Sequence, residues 1–491
     1  MSETGITGFG GYIPRRRIHR QAIAEAHSWA IPGLKGLGRG ERSFCGHDED
    51  VVTMAVAAAR FAMAGTTDAT VQSLLLASTT LPFADRQNST LVGEALGLSE
   101  DLHTADVCGS QRAGTSALLQ ALRASSGSPS VVIASEQGFS KPGSVRELTS
   151  GDGAAAVLLG GENIVARLLG SHTVSRDLVD HYRSTGSNVD YMLEERWIRD
   201  EGYLKIIPDT VQRLFSKTGV VGEAINHFVV PVVAVRTAQQ IARACGIEAT
   251  AVADNLQGQC GDTGAAHALL MLVNTLHLAQ PGDKILVLGF GQGCDALLFE
   301  ATPAIDRAEH FRSIQDELNK GSADSNYMRF LSHNGAIEMD WGIRAERDTR
   351  TALSALYRNR STFTGFVGGR CTACETVQFP KTKLCVNPDC NKPDTQVEEA
   401  FRDKTGHIKS FTEDWLGHSV SPPFMYGAVR FEGKASLMME LADFDPGQVK
   451  AGDAVCMSFR IKDKDAVRDF RRYFWKAVPA RSSVDSSSEG E

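Results

Sequence analysis

Four cysteines carry the plainest chemical signal in this chain. Cys371, Cys374, Cys385 and Cys390 fall in CTACETVQFPKTKLCVNPDC, a C-x2-C-x10-C-x4-C pattern. Two close thiolate pairs make two knuckles that can close a tetrahedral site around Zn²⁺. Four sulfur ligands with no open position make such a site structural rather than catalytic. A second reactive stretch is DVCGSQRAGTSALLQAL, residues 106–122, where Cys108 precedes a glycine turn and a helix. A thiol at a helix N-terminus is a candidate nucleophile, because the positive end of the helix favours the thiolate.

The elements that must hold these groups follow from patterning. Residues 1–300 alternate short β-rich runs with helical stretches. SLLLAST (73–79), SVVIASE (130–136) and KILVLGFG (284–291) read as buried strands, and EDVVTMAVAAARFAMAG (49–65) as an amphipathic helix ending at a glycine. Such alternation predicts α/β layers. AEHFRSIQDELNK (308–320) and AERDTRTALSALYRNR (345–360) predict a helical connection over 303–365, with a zinc ribbon over 366–395. Short β-runs at 406–414, 425–433, 435–444 and 454–462, with Gly/Pro turns, suit a small barrel over 396–480. The Ser-rich end, 481–491, reads as a disordered tail. No repeat of 20–50 residues stands out.

Composition narrows the function classes. The chain has 491 residues, 42% hydrophobic and 22% charged, the balance of a globular protein of two or three domains. A net charge of −8 gives no positive field to recruit nucleic acid or anionic lipid. No apolar run approaches the ~18 residues of a membrane helix, and MSETGITGFGGYIP lacks a signal-peptide pattern. Four clustered cysteines among ten suggest metal ligation in a reducing compartment, hence a cytoplasmic protein.

The C-terminal part, with SPPFMYGAVRFEG and GDAVCMSFR after the cysteine cluster, resembles the DUF35 family. That resemblance implies leading helices, a rubredoxin-like zinc ribbon and an OB-fold that accompanies thiolase-like enzymes.

Over residues 1–302, GITGFGGYIPRRRI (5–18), DEDVVTMAVAAAR (48–60), GDGAAAVLLG (151–160), GDTGAAHALLML (261–272) and PGDKILVLGFGQG (281–293) occur in one order. Together they resemble the thiolase superfamily, nearest its hydroxymethylglutaryl-CoA synthase and ketoacyl-ACP synthase III branches. The resemblance implies a five-layer αβαβα fold, a homodimer, and a coenzyme A thioester as substrate. It also implies a Cys nucleophile at a helix start, a His, an Asn and, in the synthase branch, a Glu. Aligning RAGTSAL (112–118) puts the nucleophile position at Gln111, three residues after Cys108. A shift of three residues would restore Cys108. The His position falls at Pro231 or Val232, with His227 several residues early; the Asn position is Asp262, and the Glu position lies near Thr79. Gly291 and Gly293 of GFGQG are expected to offer a backbone N–H to an oxyanion.

Three readings follow. In the first, an acyl-CoA-processing enzyme makes or breaks a C–C bond (retro-aldol, retro-Claisen or decarboxylation) through a thioester enolate, with Gln111 as hydrogen-bond donor and Asp262 as candidate base. In the second, Cys108 serves a covalent acyltransferase. In the third, the domain is a non-catalytic partner or scaffold of a paralogous thiolase.

Overall fold

The computed structural model describes residues 4–64, 71–124 and 127–480. The chain divides into two compact units, one of residues 1–93 and 98–338, the other of residues 94–97 and 339–491.

The first unit is organised by a nine-stranded sheet among the described residues. Its strands are β1 (Gly5–Tyr12), β2 (Ser73–Ala77), β3 (His103–Val107), β4 (Ser130–Glu136), β5 (Gly153–Gly160), β6 (Ala166–Ser175), β7 (His227–Val229), β8 (Lys284–Phe290) and β9 (Gly293–Ala301). The spatial order is β7-β8-β9-β6-β1-β5-β4-β2-β3. The two ends of this sheet repeat one plan. β1 pairs antiparallel with β5 and β5 with β4, after which β4, β2 and β3 run parallel. Likewise β6 pairs antiparallel with β9 and β9 with β8; β8 and β7 then run parallel, and Phe228 bridges Val252 in parallel. The halves meet only where Gly5 faces Arg167 and Ile6 faces Ala166. A duplication of about half a domain is far longer than the periods sought in the sequence.

Five helices complete the layers: α1 (Val51–Ala62), α2 (Ala113–Ala124), α3 (Leu204–Thr218), α4 (Val235–Ala244) and α5 (His267–Leu276). α2 and α5 each touch strands of both halves and lie between them; α1 covers the first half from outside, and α3 the second. Strands covered on both faces read as unbroken apolar runs, and Leu74, Leu76, Val131–Ala134 and Ala154–Val157 are fully buried. α1 starts where Asp50 accepts from Val52 and Thr53 N–H, with the Thr53 hydroxyl returning to the Asp50 N–H. The helix expected over 49–65 is therefore shorter, and residues 65–70 lie outside the described set. The strands expected over 73–79 and 284–291 end at Ala77 and Phe290.

The connection expected over 303–365 is not a uniform helical linker. Residues up to Glu338 belong to the first unit. Ser322–Ala323 pairs in parallel with Arg16–Arg17, while Ile314, Phe330 and Leu331 are buried. Further on, a 3-10 turn forms over Ile343–Ala345 and short α-helices over Leu353–Arg358 and Arg360–Phe363.

In the second unit, a three-stranded sheet of β10 (Val367–Cys371), β11 (Val377–Gln378) and β12 (Gln396–Ala400) carries the cysteine cluster. A five-stranded sheet follows: β13 (Gly406–Asp414), β14 (Phe424–Phe431), β15 (Ser436–Glu440), β16 (Ala454–Asp465) and β17 (Phe470–Pro479). Its order is β15-β14-β13-β16-β17, and a bridge between Leu441 and Ala477 links the two edges, as in a small barrel. β17 was absent from the sequence expectation. The tail 481–491 lies outside the described residues.

Candidate functional site

Where the two halves of the first unit meet, a cavity of about 80 Å³ opens onto the first turns of the central helices. Gln111 enters it from the turn before α2. Arg146, Thr149 and Ser150 come from a short helix and its end, and Asp180, His181 and Tyr203 from the segment between β6 and α3. Pro231 and Val233 follow β7, Asp262 and Gly264 precede α5, and Gly289 and Phe290 end β8.

Backbone sets this floor. Gly109 takes φ +88°, and the Ser110 hydroxyl both accepts from Arg112 N–H (3.3 Å) and donates to Gly291 O (3.1 Å). A β-carbon on Gly291 would stand 3.2 Å from Gln111 N and 2.5 Å from Ser110 Oγ. One on Gly289 would stand 1.9 Å from Thr115 Oγ1, and one on Gly114 2.5 Å from Ala265 O. These glycines let β8 and the two central helices approach main chain to main chain.

Gln111 Oε1 is buried without a hydrogen-bond partner, packed on Gly264, whose β-carbon would lie 2.6 Å from it. The Asp262 backbone bridges Ser150: its N–H donates to Thr149 O (2.7 Å) and its carbonyl accepts from Gly151 N–H (2.8 Å). Its Oδ1 accepts from Gly264 N–H at 3.1 Å. Beneath lies His267, wholly buried, with Nε2 donating to Asn255 O (2.9 Å) and Nδ1 accepting from Thr263 N–H (3.2 Å). Burial holds this imidazole below its ordinary pKa, and its bonds make it a bracket for the loop.

Tyr203 is half-buried, and desolvation of its phenol together with Asp180 and Asp262 pushes its pKa up, so it stays a hydrogen-bond donor. The ring packs edge-on against Phe290, centroids 4.8 Å apart. His181 Nδ1 lies 3.2 Å from Asp180 Oδ1, which accepts from Gln292 Nε2 at 3.1 Å. Arg146 pairs with Asp190 Oδ2 at 3.0 Å, and Arg183 with Asp190 Oδ1 at 2.8 Å.

Gln111 and Asp262 thus share one cavity, as the sequence register required. Other expectations change. Cys108 is exposed and not among the lining residues, and partial desolvation with the nearby carboxylates of Asp106 and Glu136 raises its thiol pKa. Gly291 N–H donates to Gly293 O (3.1 Å), Gly293 pairs with Ser175 in the sheet, both take left-handed φ (158° and 122°), and neither is among the lining residues. His227 pairs with Asp283 at 3.0 Å. His181, Asp180 and Tyr203 escaped the sequence reading, since they lie in a polar stretch with no periodic pattern.

In the second unit, the cysteine sulfurs all lie within 4.8 Å of one another. Cys371 Sγ is 3.9 Å from Cys390 Sγ, and Cys374 Sγ 3.5 Å from Cys385 Sγ. A tetrahedron with zinc–sulfur bonds of about 2.3 Å has edges of about 3.8 Å, so the donor set fits Zn²⁺. Glu375 and Asn391, each directly after the second cysteine of its pair, take φ of 59° and 45°, the turn that folds a knuckle. Asn387 Nδ2 donates to Cys374 Sγ (3.7 Å), and Thr395 Oγ1 lies 3.2 Å from Cys371 Sγ.

Residues 215–299 match the family model for the C-terminal part of 3-oxoacyl-[acyl-carrier-protein] synthase III. The chain is 30% identical over 345 residues to the hydroxymethylglutaryl-CoA synthase of Aeropyrum pernix, covering 68% of this chain and 95% of that protein. To the same enzyme of Archaeoglobus fulgidus it is 27% identical over 350 residues, 68% and 99%. Among solved structures, MvaS in complex with 3-hydroxy-3-methylglutaryl coenzyme A matches with a TM-score of 0.59 at 20% identity, over 69% of this chain and 93% of that one. The 3-oxoacyl-(acyl carrier protein) synthase III, FabH, of Pseudomonas aeruginosa matches at 0.54 and 20%, over 61% and 98%. No helix among the described residues is long and apolar enough to cross a membrane.

Proposed function

The chain belongs to the hydroxymethylglutaryl-CoA synthase family, and from that premise we propose that it makes or breaks a carbon–carbon bond in a coenzyme A thioester through an enolate, without an acyl-enzyme. The observation that carries this reading is Gln111. The side chain at the turn into α2 is a carboxamide with an unpartnered oxygen, and no cysteine lines the cavity. A carboxamide cannot accept an acyl group, yet its N–H can donate to a thioester oxygen as charge develops there. Tyr203 offers a second donor, and Asp262 a carboxylate that can receive a hydroxyl proton.

For a 3-hydroxyacyl thioester, Asp262 takes the hydroxyl proton and that oxygen becomes the carbonyl of the leaving aldehyde or ketone. The C2–C3 electron pair passes to C2 and the thioester oxygen. A proton delivered to C2 then completes the acyl thioester, so atoms and charge balance without water or nucleophile. Retro-Claisen cleavage and decarboxylation pass through the same enolate. The covalent alternative needs Cys108, an exposed thiol of raised pKa. A structural Zn²⁺ on the four cysteines, an OB-type barrel beyond it and a homodimer belong to the same reading. In the second unit, the metal would cross-link two turns and take no part in bond making.

The test is incubation with 3-hydroxy-3-methylglutaryl-CoA, the thioester carried by the MvaS structure, and with simpler 3-hydroxyacyl-CoAs. Release of an acyl-CoA and a carbonyl product is expected, falling about 100-fold or more in Asp262→Asn. An acyl adduct on Cys108 with turnover dependent on it would reject the reading.

A further inference from the structure

An enolate mechanism needs a group that exchanges a proton with C2, and neither Gln111 nor Asp262 serves that carbon in the scheme above. The cavity's ionisable side chains are Arg146, Asp180, His181, Tyr203 and Asp262. Arg146 is a cation paired with Asp190, and Tyr203 is held protonated by burial. Asp180 Oδ1 already faces both Gln292 Nε2 and His181 Nδ1. His181 is left, and imidazole is the side chain best suited to both taking and giving a proton near neutrality.

Resting on the enolate reading, we propose that His181 is the acid–base residue for the α-carbon, with Asp180 and Gln292 as its positioning residues. Three observations converge on it. His181 lines the cavity that holds Gln111 and Asp262. It sits on a two-stranded ribbon, in register opposite Met192, so its backbone is fixed. Asp180 beside Nδ1 favours the tautomer with the proton on that nitrogen, which leaves Nε2 as the lone pair. Gln292, at φ 46° in the turn between β8 and β9, holds the Asp180 carboxylate by an N–H. The position at which the resemblance expects a histidine, Pro231 or Val232, carries no ionisable side chain.

The step balances simply. Neutral His181 removes a proton from C2 of an acyl thioester, the C–H pair becomes the enolate stabilised at the thioester oxygen, and the imidazolium returns a proton to C2. In cleavage, the imidazolium supplies the C2 proton while Asp262 holds the one from the hydroxyl, and both reset by exchange with solvent.

This half-reaction can be observed without any C–C chemistry. The full chain is incubated with acetyl-CoA in D2O, and deuterium entering the acetyl methyl is followed by NMR. Wild type is expected to exchange; His181→Ala and His181→Asn should be about 100-fold slower or worse, with unchanged coenzyme A binding and thermal melting. Asp262→Asn should lower cleavage far more than exchange. Asp180→Asn should slow exchange through kcat with the KM for acetyl-CoA unchanged, as loss of a positioning residue requires. Exchange at the wild-type rate in His181→Ala overturns the assignment and leaves the enolate reading standing. No exchange and no cleavage in wild type overturns both. Exchange without cleavage of any 3-hydroxyacyl-CoA supports His181 and rejects only the aldol step.

Discussion

The carboxylate of Glu136, at the end of β4, accepts from both the backbone N–H and the hydroxyl of Thr79 beyond the end of neighbouring β2, at 2.9 and 2.5 Å. Thr79 is where the family register expects a glutamate. A carboxyl reaches that point after all, supplied from the adjacent strand. Burial raises its pKa against the pull of the Thr79 bonds and Arg183. A raised carboxyl favours its protonated form in the fold, so its contribution is full below the ordinary carboxylate range and is lost as pH rises from there through the raised value. Glu136→Gln, which keeps the shape without the charge, should therefore flatten the decline in stability on the way to neutral pH. Urea unfolding of both proteins across pH 4–8 measures it; an unchanged pH slope would show that Glu136 is not the group responsible.

Arg42 and Asp152 form a fully buried pair at 3.7 Å, and Asp152 also accepts from Cys45 N–H (2.7 Å) and Gly138 N–H (2.9 Å). Burial pushes each toward its neutral form. Arg42→Met should cost about 3–5 kcal/mol, because it strands a buried carboxylate. Arg42→Met with Asp152→Asn should recover part of that loss. Denaturant unfolding of the double-mutant cycle gives the coupling.

No cysteine is among the residues that line the cavity, and the enolate reading predicts no thioester on the protein. Intact-mass spectra after incubation with acetyl-CoA should show no acyl adduct in wild type or in Cys108→Ala, and Cys108→Ala should turn over as wild type does. An adduct that disappears in Cys108→Ala would reverse the register between that cysteine and Gln111.

The cysteine cluster should hold one Zn²⁺ per chain, measurable by elemental analysis of the dialysed protein. Cys385→Ser or exhaustive chelation should release it and unfold the segment around residues 366–395, seen as new hydrogen exchange there. Exchange around Gln111 and Asp262 should be unaffected if the ion is structural for its own unit alone.

Much of this was legible from residue order alone. The buried strands announced themselves because both faces are covered, leaving nothing polar to interrupt Val131–Ala134 or Leu74–Ala77. Gln111 and Asp262 were placed by short glycine-bearing motifs whose backbone geometry tolerates few alternatives. The four clustered cysteines were found by their spacing. His181 was not legible: its partner Asp180 is its neighbour, but Gln292 lies 111 residues on and Glu136–Thr79 joins two strands. Contacts made by folding leave no period in the chain. The compact first unit runs on to Glu338 beyond the expected boundary at 302, and Ser322–Ala323 is too short a strand to signal itself in the sequence.

Beside the cavity, glycines set how closely the elements pack: Gly114 against Ala265 O, Gly289 against the Thr115 side chain, Gly291 against the first turn of α2. Close packing of this kind is indifferent to most replacements elsewhere, so the frame around such a site is inherited with the fold. The walls, drawn from residues 146–150, 180–203 and 231–233, are free to drift. A lineage can then exchange one reaction for another by repainting its walls, with no intermediate that must first relearn how to fold.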